Sequence, residues 1–227
     1  MLTFEDIKEE LIQEIANDRR ATQLMELIDS GAGTYRTASE YSIRVGESLG
    51  RVLRRYSEYE DISEWDLESI LPSSLGLNHS YIVEACRKVQ DTFYNDAGLD
   101  IKFVEPAFNG DRAYGLVEEV SSHADFSDIE KTFYDQLVNF SQTVVVEAVQ
   151  TNAEVLNGAG VESKIVRHHE FRACEWCEAM AGSYNYVDVR DKGNDVWRRH
   201  ENCRCTIDYY TFRNGGAYRE RVNNQVK

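Results

Sequence analysis

Long apolar runs are missing from this sequence. No stretch of eighteen or more apolar residues occurs in the chain, whereas a transmembrane helix needs about twenty. The first residues form an acidic amphipathic segment and not a basic region followed by an apolar one. We therefore expect neither a membrane span nor a secretory signal.

Positive charge is also scarce, with 25 Lys and Arg against 40 Asp and Glu and a formal net charge of −15. Each phosphate contact needs a Lys or Arg. The excess of acidic side chains therefore excludes a protein that coats DNA or anionic membrane with its whole surface. Residues 163–205 differ, since their eight basic and seven acidic side chains give +1 and leave −16 for the rest. If any part of the chain contacts nucleic acid, we expect it to be residues 163–205. Scattered solvated charges are the simpler interpretation. The candidate contacts are Arg190, Lys192, Arg198, Arg199 and Arg204.

Common ligand motifs are absent or incomplete. Gly158-Ala159-Gly160 resembles half of a phosphate loop, but it lacks the following Lys-Ser/Thr and comes after a helical pattern. We interpret it as a helix stop. The acidic stretch 58–61 lacks the spacing of an EF-hand calcium loop. Nothing indicates acyl transfer or phosphate binding.

What the chain does have is apolar residues at helical spacing through most of residues 1–157. The pattern predicts a helix from about 4 to 16 behind a capping box at Thr3, and a second helix between Asp18 and Gly31. Ser39 opens a third helix. Its apolar stripe lies near Gly46 and Gly50, which predicts close approach of another helix.

The middle of the chain is predicted to be more broken. Ser63 caps a short helix that stops before Pro72, because proline interrupts helical hydrogen bonding. A helix from Ser80 to near Gly98, a strand or extended arm over 101–104 and a helix from Asp111 follow. The longest helix runs from Ser127 to Asn157.

Three short strands are expected after the long helix, around Ile165–His168, Tyr184–Val187 and Ile207–Tyr209. The fold class is therefore mainly α, a multi-helix body followed by a small α+β zinc-knuckle module at the C-terminus. We predict a helical body over 1–157, a zinc-stapled module over 158–212 and a polar tail over 213–227.

Four of the five cysteines lie between Cys174 and Cys205, with His200 beside them. Cys174 and Cys177 can converge on one ion, His200 and Cys203 can do the same in a tight turn, and Cys203 and Cys205 point the same way in an extended segment. Five donors for four tetrahedral positions predict a structural Zn²⁺ site.

The ligand set is left open by the spacing. We favour Cys174, Cys177 and Cys205, with His200 and Cys203 competing for the fourth position. Free buried thiols or a disulfide pair are the alternatives. The fifth cysteine, Cys86, is predicted to be a core residue.

The chemistry of the cysteines favours a structural role for the metal. A sheet of this size cannot bury enough apolar area to hold itself together, so the metal would supply folding energy. Glu175, His169, Glu170 and Glu201 are near enough in sequence to assist a catalytic zinc. Thiolate-rich sites are nevertheless normally closed and structural, and we expect no catalytic residues.

A DNA-cleaving enzyme of the His-Asn-His type is the alternative. His168, His169, His200 and Asn202 supply the residue types for a general base and a Mg²⁺ ligand. No second ligand histidine stands at the expected distance in a downstream helix.

A series of short motifs surrounds the cysteines. The most specific is the closing His200-Glu-Asn-Cys203-Arg-Cys205, combined with the upstream Cys174-Glu-Trp-Cys177. The others are Thr151–Ala153, Ala159-Gly160, Lys164–Arg167, Ala181-Gly182 and Arg199, and more weakly the Gly46 helix, Val89-Gln90 and Phe108–Arg112. Together they resemble the signature of minor head proteins of tailed bacteriophages, also called head-morphogenesis proteins.

This resemblance implies a low-copy virion protein in the capsid interior at the portal vertex, made in the cytoplasm of a host bacterium. Such a protein acts in head assembly or in genome packaging and delivery. Its partners would be the portal protein and other head proteins, with packaged DNA as a further candidate and no membrane involved. Members of the family are not generally known as enzymes. On this interpretation the basic residues of 163–205 contact portal or DNA.

Overall fold

The computed structural model describes residues 3–59, 64–123, 129–200, 202–213 and 215–216. Within these ranges the chain is mainly helical, with a three-stranded antiparallel sheet near its C-terminal end, as predicted. The elements are α1 (Phe4–Asn17), α2 (Arg19–Asp29), α3 (Tyr35–Tyr59), α4 (Glu64–Ala97), α5 (Gly110–Ser121), α6 (Glu130–Gly158), β1 (Ser163–His168), α7 (Glu175–Ala179), β2 (Gly182–Asn185), α8 (Tyr186–Val189) and β3 (Thr206–Thr211). The predictions made for Ser63, for Ser127 and for the tail beyond residue 216 lie outside the described residues.

The first two helices begin at their predicted caps. The side chain of Thr3 accepts a hydrogen bond from the backbone N–H of Asp6, and the Asp6 carboxylate accepts one from the N–H of Thr3. This is the reciprocal capping box. Asp18 caps α2 by accepting from the N–H groups of Arg20 and Ala21, both at 3.0 Å.

Helix α3 begins at Tyr35, before the predicted start at Ser39. Thr34 accepts from the N–H of Arg36 at 3.2 Å. A second cap comes from β3, where the Asp208 carboxylate accepts from the N–H of Tyr35 at 3.2 Å. Because Asp208 lies so far along the chain, the local pattern could not show this cap.

The prediction that a short helix stops before Pro72 is wrong. Pro72 lies inside α4, a single helix of 34 residues that is longer than the 29-residue α6. An internal proline costs about 3 kcal/mol, but Ile70, Leu71 and Leu75 are all buried around it. Burial of one such side chain contributes about 1.5–3 kcal/mol, so the packed face outweighs the missing hydrogen bond.

The centre of the body is the packing of α3 against α6. A Cβ added to Gly46 would lie 2.7 Å from Oγ of Ser141 and 2.9 Å from Cα of Val138, and one added to Gly50 would lie 3.0 Å from the Tyr134 ring. These separations confirm the predicted close approach. Glycine at position 46 is therefore required by packing, despite its cost in helix propensity, whereas a side chain at position 50 would need the Tyr134 ring to shift.

In the sheet, β1 is the central strand, and the order is β2-β1-β3. The predicted second strand is only partly correct, because the chain leaves the sheet after Asn185 and forms α8. The reason is that Tyr186 and Val189, three residues apart, are both buried. The Tyr186 hydroxyl also donates to Glu154 of α6 at 2.7 Å.

The sheet and the helices share one hydrophobic core. Ile165, Ile207 and Tyr209 belong to the same buried cluster as residues of α2, α3, α4 and α6. The Tyr209 ring stacks on Phe93 of α4 at 4.6 Å between centroids. The division of the chain after residue 157 stays a prediction.

The segment 101–104 has no regular secondary structure and does not belong to the sheet. The side-chain amide of Asn152 on α6 bonds both backbone groups of Val104, at 2.9 Å each. The side chain of Asn152 thus satisfies the two backbone groups that a neighbouring strand would otherwise bond. Among the described residues, no helix has the length and apolar character to cross a membrane.

Candidate metal centre

The antiparallel pairing of β1 with β3 brings the cysteine segments together. His168, at the end of β1, lies opposite Thr206, the first residue of β3. Cys203 and Cys205 immediately precede β3, whereas Cys174 and Cys177 follow β1 after a short loop and lie at the start of α7. Both segments therefore meet at one end of the sheet.

Five donor side chains converge there as two overlapping groups. Cys174, Cys177 and His200 form one group, and Cys177, Cys203 and Cys205 form the other; within each, all donor atoms lie within 4.8 Å of one another. Cys177 is common to both. These two groups could hold a metal ion.

The distances between donors can be compared with those of a tetrahedral zinc site. With Zn–S of about 2.3 Å and Zn–N of about 2.0 Å, the edges are about 3.8 Å between two sulfurs and about 3.5 Å between sulfur and nitrogen. Sγ of Cys177 lies 3.9 Å from Sγ of Cys203, and Sγ of Cys174 lies 3.4 Å from Nε2 of His200. Cys177 and His200 are closer, at 2.9 Å, which is a hydrogen-bond distance.

The disulfide alternative is not present in this structure. All five cysteines are free thiols, and the 3.9 Å between Cys177 and Cys203 far exceeds the S–S bond length of about 2.05 Å. Cys86 lies apart from the others in the core of the helices, as predicted.

Two arginines lie against the thiols. Arg167 is 2% exposed, and its Nη2 is 4.0 Å from the sulfurs of both Cys177 and Cys203. Its Nη1 donates to the carbonyls of Val196 and Arg198, at 2.6 and 2.8 Å. Neither Arg167 nor Arg199 forms an ion pair with a carboxylate of the described residues.

Arg199 bonds the backbone of the segment that carries Cys203 and Cys205. Its Nη2 donates to the backbone carbonyls of Cys205 at 2.7 Å and Cys203 at 3.4 Å. Burial of the guanidinium lowers the pKa of Arg199 to about 10, and the nearby Cys203 offsets part of this effect. A buried cation with no carboxylate partner needs another anion, and here the sulfurs are the available anions.

The thiols differ in acidity. A hydrogen bond from Cys205, together with the charges of Arg199 and Arg167, lowers the pKa of Cys203 to about 4. Burial raises the pKa of Cys177, and the hydrogen bond to Cys203 raises that of Cys205. The arginine charges therefore favour the thiolate form of Cys203, and thiolate is the form that binds metal.

Packing around the donors fixes their positions. The Trp176 indole meets the His200 ring edge-on at 5.8 Å between centroids, and the Arg167 guanidinium lies 4.9 Å over the same indole. The carbonyl of His200 accepts from the N–H of Cys203 and from the side-chain amide of Asn139 on α6, both at 3.2 Å. The cluster is thus tied to the helical body.

The basic residues predicted as partner contacts are dispersed. Arg198 forms an exposed ion pair with Asp195 at 2.9 Å, and Arg204 lies 3.6 Å from Asp135 on α6. Lys192 lines a separate cleft beside α6. Arg190 is exposed, whereas Arg199 is half-buried and donates to the carbonyl of Cys205.

Of the residues named for the nuclease alternative, His168 and His169 line one cleft together with Glu170. Among the described residues, neither His168 nor His169 belongs to a group of potential metal ligands. Burial and the charge of Arg36 lower the pKa of His168 to about 4. Glu170 and Glu175 are exposed, and Glu201 lies outside the described residues.

Arg167 is the main feature that the sequence interpretation missed. The strand β1 alternates strictly between buried and half-buried positions, and Arg167 occupies a buried one. A charged residue at a buried position in a strand indicates a nearby counter-charge. That signal was available from the alternation of Ser163, Ile165 and Arg167.

Searches against protein-family models, curated proteins and solved structures returned no match for this chain.

Proposed function

We propose that the chain is a non-enzymatic structural protein whose C-terminal end is closed by one structural Zn²⁺. The ligands are Cys174, Cys177, His200 and Cys203, and Cys205 remains a thiol that donates a hydrogen bond to Cys203. Two donor pairs of this set have separations that match the edges of a zinc tetrahedron. The 2.9 Å between Cys177 and His200 would have to lengthen when the ion binds, and Cys203 would have to join the group that holds Cys174 and His200. The spacing alone favoured Cys205 as the third ligand and left His200 and Cys203 competing for the fourth position. The proposed set takes both His200 and Cys203 and leaves Cys205 unbound.

One observation carries the proposal, namely two arginines beside the cysteines with no carboxylate partner in the described chain: Arg167 lies 4.0 Å from two of the sulfurs, and Arg199 donates to the carbonyl of Cys205. Three thiolates and one imidazole around Zn²⁺ carry a net charge of −1. The two guanidinium groups compensate it, which favours the anionic, metal-bound form over neutral thiols.

Cobalt substitution tests the ligand set. Tetrahedral Co²⁺ has intense visible bands, and the ultraviolet thiolate-to-cobalt band grows with the number of bound sulfurs. We expect Cys203→Ser to weaken that band and Cys205→Ser to leave it at wild-type strength. Equal loss in both variants, or loss only in Cys205→Ser, would overturn this assignment.

We further propose that the protein is a minor head component of a tailed bacteriophage, located at the portal vertex. The support is the resemblance of the motifs that end in His200-Glu-Asn-Cys203-Arg-Cys205. The thiol-rich donor set and its tie to the helical body agree with a structural role, since such metal sites normally stabilise a fold.

Two experiments test this role against DNA cleavage. Density for the chain at the portal vertex in a virion map is the expected result, and its absence from purified virions would contradict the proposal. In a plasmid-nicking assay with Mg²⁺ and Mn²⁺, we expect no cleavage. Metal-dependent nicking that His169→Ala abolishes would instead establish the enzyme.

A further inference from the structure

A second site is separate from the Cys/His cluster. An open cleft of about 560 Å³ lies between the loop before α5, one face of α6 and Lys192. Its lining residues are Glu105–Asp111, Glu147, Gln150, Thr151 and Lys192. None of them is a proposed metal ligand.

The charged residues of the lining are mainly acidic. Glu105, Asp111 and Glu147 face a single cation, Lys192. Glu147 is half-buried and accepts no hydrogen bond from the described residues. The neighbouring Arg112 donates instead to Thr143 at 2.7 Å.

Burial raises the pKa of Glu147, and the charges of Arg112 and Lys192 offset only part of that effect. The carboxylate is therefore short of compensating charge. A cation bound in the cleft would supply it.

Gln150 provides an independent observation. It is 8% exposed, and it lines the same cleft. Within the part of the chain that the structure describes, its amide makes no hydrogen bond. Its amide donor and acceptor atoms are therefore available to a ligand in the cleft. Glu147, Gln150 and Thr151 are spaced three and four residues apart, so they share one face of α6.

We propose that this cleft binds an alkylammonium or guanidinium group. The Glu147 carboxylate and the Gln150 carbonyl oxygen accept its N–H groups. Glu105 and Asp111 add negative charge, and Pro106 and Phe108 give apolar contact to attached methylene groups. Three carboxylates exclude an anion, and the charge and open polar lining exclude an apolar ligand. The group comes either from a free polyamine or from a Lys or Arg side chain of a partner protein.

The experiment is an NMR titration of the full chain, which follows the side-chain amide signal of Gln150. One arm uses putrescine, a free diamine, and the other uses N-acetyl-arginine methylamide, which represents a protein side chain. We expect saturable shifts in at least one arm. Tighter binding of putrescine identifies a free amine as the ligand, and tighter binding of the arginine derivative identifies a protein side chain.

Three variants separate a specific site from general attraction to an acidic protein. Glu147→Gln should weaken binding at least tenfold, whereas Lys192→Met should tighten it, a gain that a misfolded variant could not show. Glu118→Gln removes the same charge from an exposed position on α5 outside the cleft and should bind like wild type. Shifts that do not saturate in either arm, or equal weakening by Glu147→Gln and Glu118→Gln, would overturn the proposal.

Discussion

Arg167 connects the sheet to the proposed metal site through a single side chain. Its guanidinium donates to the backbone carbonyls of Val196 and Arg198, which precede His200 in the chain. It also packs over Trp176 and lies 4.0 Å from two of the sulfurs. It therefore both positions the donors and offsets their charge. Residues that surround metal ligands in this way commonly change metal affinity by about 10–100-fold.

Replacing Arg167 by Met should accordingly weaken Zn²⁺ binding by about 10–100-fold, because the charge next to the thiolates is lost. Competition with a chromophoric chelator measures the affinity. Arg167→Lys, which keeps the charge without the planar fork, should fall between wild type and Arg167→Met. The exposed Arg198→Met is the matched control, and an equal effect there would rule out the role given to Arg167.

Asp208 is a buried carboxyl whose effect on stability depends on pH. Burial raises its pKa to about 7, although N–H groups of Tyr35 and Tyr209 donate to it. The folded state therefore retains a proton that the unfolded chain releases above its ordinary pKa of about 4. This contribution to stability is complete below about pH 4 and is lost as the pH rises through about 7.

The difference in unfolding free energy between wild type and Asp208→Asn isolates this effect, since asparagine keeps the acceptor oxygen and cannot ionise. We expect wild type to lose roughly 3–4 kcal/mol relative to Asp208→Asn between pH 4 and pH 8. Urea unfolding at a series of pH values measures it. A pH-independent difference would show that the Asp208 carboxyl keeps the same charge in both states.

At the scale of elements, the close packing of α3 on α6 depends on Gly46. A methyl group there would lie 2.9 Å from a backbone atom of Val138, which cannot move without shifting α6. Gly46→Ala should destabilise the protein by about 1–3 kcal/mol, even though alanine is the better helix former. Thermal unfolding measures the change.

Gly115 on α5 gives the matched control, because no atom lies within 4 Å of a Cβ added there. Gly115→Ala should stabilise the protein by about 0.5–1 kcal/mol through helix propensity alone. If both substitutions stabilise the protein, α3 and α6 are not as close as the structure places them.

Local patterns predicted the elements well where the determining residues are close in sequence. The caps at Thr3 and Asp18 and the strand β3 follow from neighbouring residues. The start of α3 and the continuation of α4 through Pro72 could not be predicted, because distant packing partners decide both. The donor residues of the cluster were visible from their spacing, and the buried position of Arg167 was visible from the alternation in β1. That Arg167 lies against the sulfurs could not be predicted, because it depends on how the loops after β1 and before β3 come together.

At the scale of the whole molecule, the sheet is held from two sides. Its inner face shares the core of the helices, and the Cys/His cluster closes the loops at its end. Loss of metal should therefore act on the loops first, because β1 and β3 retain their apolar contacts with α3, α4 and α6.

Hydrogen exchange with mass spectrometry, before and after treatment with a chelator, tests this expectation. Segments 169–181 and 198–205 should lose protection by about tenfold or more, consistent with local opening. The strands β1 and β3 and the helix α6 should change little, and Cys174→Ser should reproduce the pattern. Uniform loss of protection over the chain would contradict it.

The central claim is that the Cys/His cluster binds one zinc ion, and native mass spectrometry tests it most directly. Protein purified under reducing conditions should carry one zinc per chain, with the mass lowered by the protons that the bound thiols release. Cys177→Ser, which removes the donor common to both groups, should be metal-free. A wild-type chain at its metal-free mass with five titratable thiols would contradict the account.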